Sequence, residues 1–155
     1  MRQLKYRLRD GNTIVGYCLW LVEEGKFGKW IYSPNNELWS IGYPKIPHKE
    51  KDSFTGLLDK QGKEIYEGDI VVIEDTYKDV ILDDGTGPIE PFNHLAPVVF
   101  QTAEFGVEIN QGADIFNSGF WAFCDIARET GQEKLEVIGN IYENKELLVV
   151  SKGGL

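Results

Sequence analysis

Cysteine and histidine are scarce in this sequence, with two of each among 155 residues. Cys18 and Cys124 lie in aromatic and aliphatic settings, Gly-Tyr-Cys-Leu-Trp and Trp-Ala-Phe-Cys-Asp-Ile, which read as buried, reduced thiols of a reducing compartment. Nothing in the sequence brings their alpha carbons within bonding reach, so a disulfide has no support. His48 and His94 have no second His or Cys at the spacing of a zinc ligand pair, which excludes a structural zinc site and leaves no metal or other cofactor to expect. Long apolar runs are also missing: none approaches the roughly 20 residues that span a bilayer. Met1-Arg2-Gln3-Leu4-Lys5-Tyr6 lacks the apolar centre of a secretory signal. The expectation is a soluble, cytoplasmic protein without a membrane partner. With 42% apolar and 26% charged residues, the chain fits neither the disordered nor the collagen-like class.

Positive charge is in the minority, 16 Lys+Arg against 25 Asp+Glu for a net charge of -9. Its distribution is uneven: residues 1–63 carry +4 and residues 64–155 carry -13. Such a split suits neighbouring subunits that pair basic face to acidic face, or a basic half that meets an acidic partner, with an ordinary solvated surface as the plain alternative. The net charge opposes broad, non-specific nucleic-acid binding. A local patch remains open, and Arg2, Lys5, Arg7, Arg9, Lys26 and Lys29 with Trp30 form the candidate basic and aromatic binding face. Trp20, Trp39 and Trp121 read as core or subunit-contact residues, because single-strand binders interleave such rings with basic residues along a groove.

Strand signals recur from end to end. Residues 2–9 alternate Leu4, Tyr6 and Leu8 against mostly basic neighbours, the period-2 pattern of a half-buried strand. Asp10-Gly11-Asn12 is a turn, and residues 13–22 resume as a second strand of a hairpin. Residues 27–32 are strand-like, Ser33-Pro34-Asn35-Asn36 breaks the chain, and residues 37–53 read as a loop with short extended pieces. Asp59-Lys60-Gln61-Gly62 has the form of a type I turn closed by a left-handed Gly, and Tyr66-Glu67-Gly68-Asp69 is a second sharp turn. Both lead to the β-branched run Ile70 to Ile73. The acidic stretch 74–90 reads as an exposed excursion, with Asp79 to Leu82 as a short edge strand. Residues 97–100 and 104–109 form a further hairpin. Over 114–130 helical spacing of Phe116, Phe120, Phe123 and Ala127 competes with a buried-strand pattern, and the strand is preferred. Residues 135–142 are a strand, after which Asn144 supplies an N-cap for a short helix.

Two blocks are more specific than these patterns. Thr55-Gly56-Leu57, Asp59, Gly62 and Ile65-Tyr66-Glu67-Gly68-Asp69-Ile70-Val71 form the first, and Val137-Ile138-Gly139-Asn140-Ile141-Tyr142-Glu143-Asn144 the second. Together they resemble the YopX family of bacteriophage and prophage proteins, and the resemblance extends over most of the chain. Two departures occur: Leu8-Arg9-Asp10 stands where the family carries an aromatic-Asp pair, and Lys145 where a Pro is common. The resemblance implies a phage or prophage origin, a mostly β fold and self-assembly. It implies no reaction, since the family has no established biochemical activity.

The signature residues have a structural explanation. Gly56, Gly62 and Gly68 suit turns, Asp59 and Asp69 can accept from turn amides, and Tyr66 and Tyr142 can bury a ring while satisfying a hydroxyl. Thr55, Gly139 and Asn140 belong with them; the functional alternative makes the Tyr66-Glu67-Gly68-Asp69 turn one wall of a small groove. Ile81-Leu82-Asp83-Asp84-Gly85-Thr86 is similar to the nucleophile motif of haloacid dehalogenase phosphatases, but Leu82 occupies the attacking position, which excludes that covalent step. Asp79, Asp83, Asp84 and Glu90 could gather only a weak cation. Gly25-Lys26-Phe27-Gly28 lacks the flanking helices of a KH loop.

The sequence therefore predicts a mainly β, YopX-like fold with small barrel- or sandwich-like sheets and one or two short helices. It reads as one domain over 1–155, divisible into two β subdomains of about 1–53 and 54–155. The expected function is that of a non-enzymatic phage accessory protein, a homo-oligomeric binding or structural module that meets a host or phage protein. The alternative is a small nucleic-acid-binding or regulatory protein using the basic N-terminal half.

Overall fold

In a computed structural model the chain divides into two compact units, Met1–Leu58 with Glu64–Glu67, and Asp59–Lys63 with Gly68–Leu155. The structure describes residues 4–40, 43–78, 89–110, 112, 115–131 and 135–148. Each unit is built on a five-stranded antiparallel sheet, so the fold is mainly β, and neither sheet closes into a barrel.

The first unit comprises β1 (Lys5–Asp10), β2 (Thr13–Leu21), β3 (Lys29–Ser33), β4 (Glu50–Leu58) and β5 (Glu64–Tyr66), in the order β3-β2-β1-β4-β5. The hairpin expected at Asp10-Gly11-Asn12 is present, with Asp10 opposite Thr13. Because a strand sends successive side chains to opposite faces, Tyr6 and Leu8 share one face of β1 and Lys5, Arg7 and Arg9 the other. Residues 37–40 and 43–49 form loop segments as expected, but the extended chain starts at Glu50 rather than after residue 53. Asp52 explains the difference: it lies opposite Arg7, where a carboxylate has charged partners across the strand pair.

The second unit comprises β6 (Asp69–Lys78), β7 (Ile89–Gln101), β8 (Glu104–Ile109), β9 (Gly119–Ala122), α1 (Phe123–Thr130) and β10 (Glu136–Asn140), in the order β10-β6-β7-β8-β9. Ile70, Val71, Ile73, Val98, Val107 and Ile126 are buried at its centre. Burying each such side chain fully stabilises the fold by about 1.5–3 kcal/mol before conformational entropy is counted.

Several expectations for this half are corrected. Residues 74–78 and 89–90 are not an excursion but the continuation of a long hairpin paired from Ile70 with Pro97 to Lys78 with Ile89. Acidic composition concealed the strand, because buried Asp75 is held by hydrogen bonds rather than by water. The edge strand expected at Asp79 to Leu82 lies outside the described residues. Residues 114–130 combine a strand at Gly119–Ala122 with a helix at Phe123–Thr130. Gly131, at φ 73°, ends that helix by donating its N–H to Ala127 O. The expected strand 135–142 stops at Asn140, whose side-chain oxygen accepts from the amides of Tyr142 and Glu143 and turns the chain. Asn144 precedes helical residues 146–148, but its side-chain oxygen accepts from Asn140 N–H behind it, not from the helix ahead. Both cysteines are free; Cys18 is buried as expected, whereas Cys124 is exposed on α1.

Candidate functional site

The residues read from the sequence as one basic and aromatic face fall on opposite faces of the first sheet. On one face Lys5, Arg7 and Arg9 are all buried. Arg7 Nε and Arg9 Nε both donate to Asp52, at 3.1 and 3.0 Å from Oδ2. Lys5 Nζ donates to Glu64 Oε2 at 2.8 Å, and the other oxygen of Glu64 accepts from Asn36 and from the Tyr66 hydroxyl. Burial alone would raise the Glu64 carboxyl, but the hydrogen bond from Lys5 and those from Asn36 and Tyr66 hold it below the usual range. Burial and the Glu64 charge push the Tyr66 phenol upward, so it remains a donor. Glu67 is raised by burial and by the Asp52 carboxylate. These charges are satisfied within the sheet.

The opposite face carries exposed rings. Trp20 and Trp30 lie across β2 and β3 as a directly opposed pair, with centroids 5.1 Å apart in an edge-on arrangement. Tyr6 adjoins Trp30 at 5.8 Å. Lys51 Nζ stands 4.5 Å from the Tyr6 ring centre and 5.8 Å from that of Trp30, within cation–π range. Trp20 and Trp30 remain 36% and 38% exposed despite these contacts, so this is an aromatic surface with a cation on it. Lys26 and Lys29 are exposed, Lys26 paired with Glu23, and Arg2 lies outside the described residues. Tyr6 and Lys51 were not among the site residues expected from the sequence, and Trp20 was read there as a core or subunit-contact residue. Their signal was the β1 alternation, but strand register had to be known before Lys51 could be placed beside Tyr6.

The signature residues build turns and strand ends. Thr55 Oγ1 donates to Ile65 O, and exposed Gly56 follows it at φ 88°. Asp59 is 1% exposed; Oδ1 accepts from the amides of Gln61 and Lys63, and Oδ2 from that of Val137. Burial opposes ionisation of Asp59, but the Val137, Lys63 and Gln61 amides outweigh it and lower its pKa. This carboxylate closes the turn ending at Gly62, at φ 84°, and links the two sequence blocks. Gly68 adopts φ 89° with Tyr142 packed against it, so a Cβ would meet the ring at 2.9 Å. A Cβ on Gly139 would meet Asn144 Oδ1 at 2.5 Å. Buried Asp69 lies opposite Asn140 at the end of β10.

One chemically capable pair sits in the second unit. His94 Nε2 is 2.9 Å from Asp75 Oδ2, and the Asp75 carboxylate also accepts from the amides of Ile115 and Phe116. Both side chains are buried, and the His94 ring meets Phe116 edge-on at 6.0 Å. This geometry holds the segment before β9 against β6 and β7. Among the described residues no group of three His, Cys, Asp or Glu side chains could hold a metal ion. Asp79, Asp83, Asp84 and the motif around Leu82 lie outside the described residues. Among the described residues no helix is long and apolar enough to cross a membrane.

Comparison with known proteins places residues 24–149 in a match to the family described as YopX protein. No curated protein matches the sequence. One similar solved structure is the crystal structure of protein EF1440 from Enterococcus faecalis, with 20% identity over 96% of this chain and 99% of that one, at a TM-score of 0.45.

Proposed function

The chain belongs to the YopX family, and from that premise we propose that it is a non-enzymatic phage or prophage accessory protein that works in the host cytoplasm as a homo-oligomeric binding module. The observation that carries this reading is the aromatic face of the first sheet, where Trp20 and Trp30 keep more than a third of their surface exposed. Exposed rings grouped with a cation suit docking, because their burial drives association while the cation restricts the partner. Charge by itself does little for self-association: the first unit holds 9 Lys+Arg against 8 Asp+Glu, the second 7 against 17, so the first is nearly neutral. Copies therefore attract only through local, opposite patches against a mutual repulsion set by the net charge of -9. The His94–Asp75 pair fits a structural clamp, since the carboxylate is engaged by backbone amides and the imidazole is buried.

Multi-angle light scattering across a salt series tests the reading. A discrete oligomer whose mass depends on salt is expected; a monomer at every salt concentration refutes self-assembly. A second reading, nucleic-acid binding, draws on exposed Lys26, Lys29 and Trp30. It predicts retardation of a labelled oligonucleotide that weakens steeply as salt rises.

A further inference from the structure

One lysine of the first sheet is held by aromatic rings alone. Lys51 Nζ stands 4.5 Å from the centre of the Tyr6 ring and 5.8 Å from that of Trp30, and among the described residues it has no carboxylate or hydrogen-bond acceptor. Lys5 provides the contrast. It lies 5.3 Å from the Trp39 ring centre and 5.8 Å from that of Phe54, but it is buried and its ammonium donates to Glu64. Lys5 is tied in place, whereas Lys51 is exposed on a flexible stem and has only its ring contacts to lose on leaving.

The walls that hold Lys51 form a corner rather than a stack. The Tyr6 and Trp30 planes are inclined at 54°, and those of Trp20 and Trp30 at 62°. All three rings stand on one face of the sheet, since Trp20 pairs directly with Trp30, and Cys18, two residues before Trp20, pairs with Tyr6. Trp20 lies against the Gly28 backbone, where any Cβ would overlap the indole, and this fixes the third wall. Steeply inclined rings do not offer the parallel platforms on which successive bases stack. They suit a single cation.

Lys51 shows which sign of charge the corner takes, and the lack of an acceptor there narrows the class of cation. A protonated amine leaves N–H groups that the rings satisfy poorly, whereas a methylated ammonium has none to satisfy and packs its methyls on the ring faces. The overall charge acts in the same direction, because a net charge of -9 concentrates cations near the surface and repels anions. Trp20 and Trp30 stay more than one-third exposed with Lys51 in place, which leaves ring surface for one small head group.

We propose that Tyr6, Trp20 and Trp30 form a site for a small molecule bearing a trimethylammonium group, with the Lys51 ammonium as a resident competitor that the ligand displaces. This deepens the reading of the aromatic face as a binding surface and rests on it, but not on self-association. The probe is choline chloride, titrated into the full chain labelled with nitrogen-15, with sodium chloride and the neutral isostere 3,3-dimethylbutan-1-ol as controls. The readout is the indole N–H resonances, assigned through Trp20→Phe and Trp30→Phe. Choline is expected to shift the Trp20 and Trp30 signals saturably and to leave Trp39 and Trp121 in place, while neither control does so. Lys51→Ala, an exposed substitution, is expected to tighten choline binding about threefold by removing the competitor. Trp30→Leu should abolish the binding. Should Trp30→Leu fail to fold, the Lys51→Ala result decides.

Absence of a saturable choline response, an equal response to the neutral alcohol, or weaker binding in Lys51→Ala overturns the proposal. A response at Trp39 instead moves the site to the Lys5 corner and also overturns it. Binding to phosphatidylcholine vesicles or to a trimethyllysine peptide without binding to free choline replaces the small molecule with a lipid or a protein. Light scattering on the same samples separates this proposal from the self-assembly reading: an oligomer indifferent to choline leaves that reading intact, and a monomer that binds choline leaves this site intact.

Discussion

Removing the Asp59 carboxylate should loosen the second unit at the junction of its two signature blocks. Asp59 accepts at 2.8 Å from Gln61, 2.9 Å from Lys63 and 3.0 Å from Val137. A hydrogen bond to an ionised acceptor contributes roughly 1.5–3 kcal/mol, and a stranded buried donor costs about 1–3 kcal/mol. In Asp59→Ala water can reach the amides of exposed Gln61 and Lys63, which limits their loss. The Val137 amide is less accessible, so the total cost should be about 2–4 kcal/mol at pH 7. Asp59→Asn keeps one acceptor but turns an NH2 toward an amide donor, and should cost about half as much. The pH dependence has a definite sign. Because the folded pKa of Asp59 is depressed, its contribution is complete above the ordinary carboxylate value of about 3.9 and is lost as pH falls through the folded pKa. The deficit of Asp59→Asn relative to the parent should therefore be largest at neutral pH and shrink below about pH 4. Urea unfolding gives the stability and hydrogen exchange at the Val137 amide gives the local opening. An Asp59→Ala protein within about 0.5 kcal/mol of the parent, or an equally protected Val137 amide, would refute the reasoning.

Two other substitutions probe different physics. Asp52→Ala leaves the buried Arg7 and Arg9 guanidiniums without their shared carboxylate and should cost about 3–5 kcal/mol in urea unfolding; a loss below about 1 kcal/mol would show that the pair is held by other groups. Gly68→Ala combines a left-handed backbone position with a clash against Tyr142 and should cost about 2–4 kcal/mol. Adding Tyr142→Ala should relieve the clash but not the backbone strain, so a double-mutant cycle on unfolding free energies must show coupling between the two sites.

Much of the β character was legible because strand formation follows local alternation. Leu4, Tyr6 and Leu8 against Lys5, Arg7 and Arg9 identified β1, and the turn residues after it identified the hairpin. Failures arose where a polar side chain finds its partners far along the chain. Asp75 looked like part of a solvated acidic tract, yet His94 and the amides of Ile115 and Phe116 make it a buried strand residue. The 114–130 segment held strand and helix in succession, and one averaged period could represent neither.

The candidate site divides in the same way. Composition and alternation by themselves determined that the N-terminal strand is basic on one side and apolar on the other, and the two signature blocks determined the family. Only tertiary structure decided which side is available. Asp52 and Glu64 arrive 45 and 59 positions after the cations they neutralise, and Lys51 reaches the Tyr6 ring across the adjacent strand. Charge can be counted in a sequence, but its availability depends on register, because a one-residue shift in pairing moves every side chain to the other face.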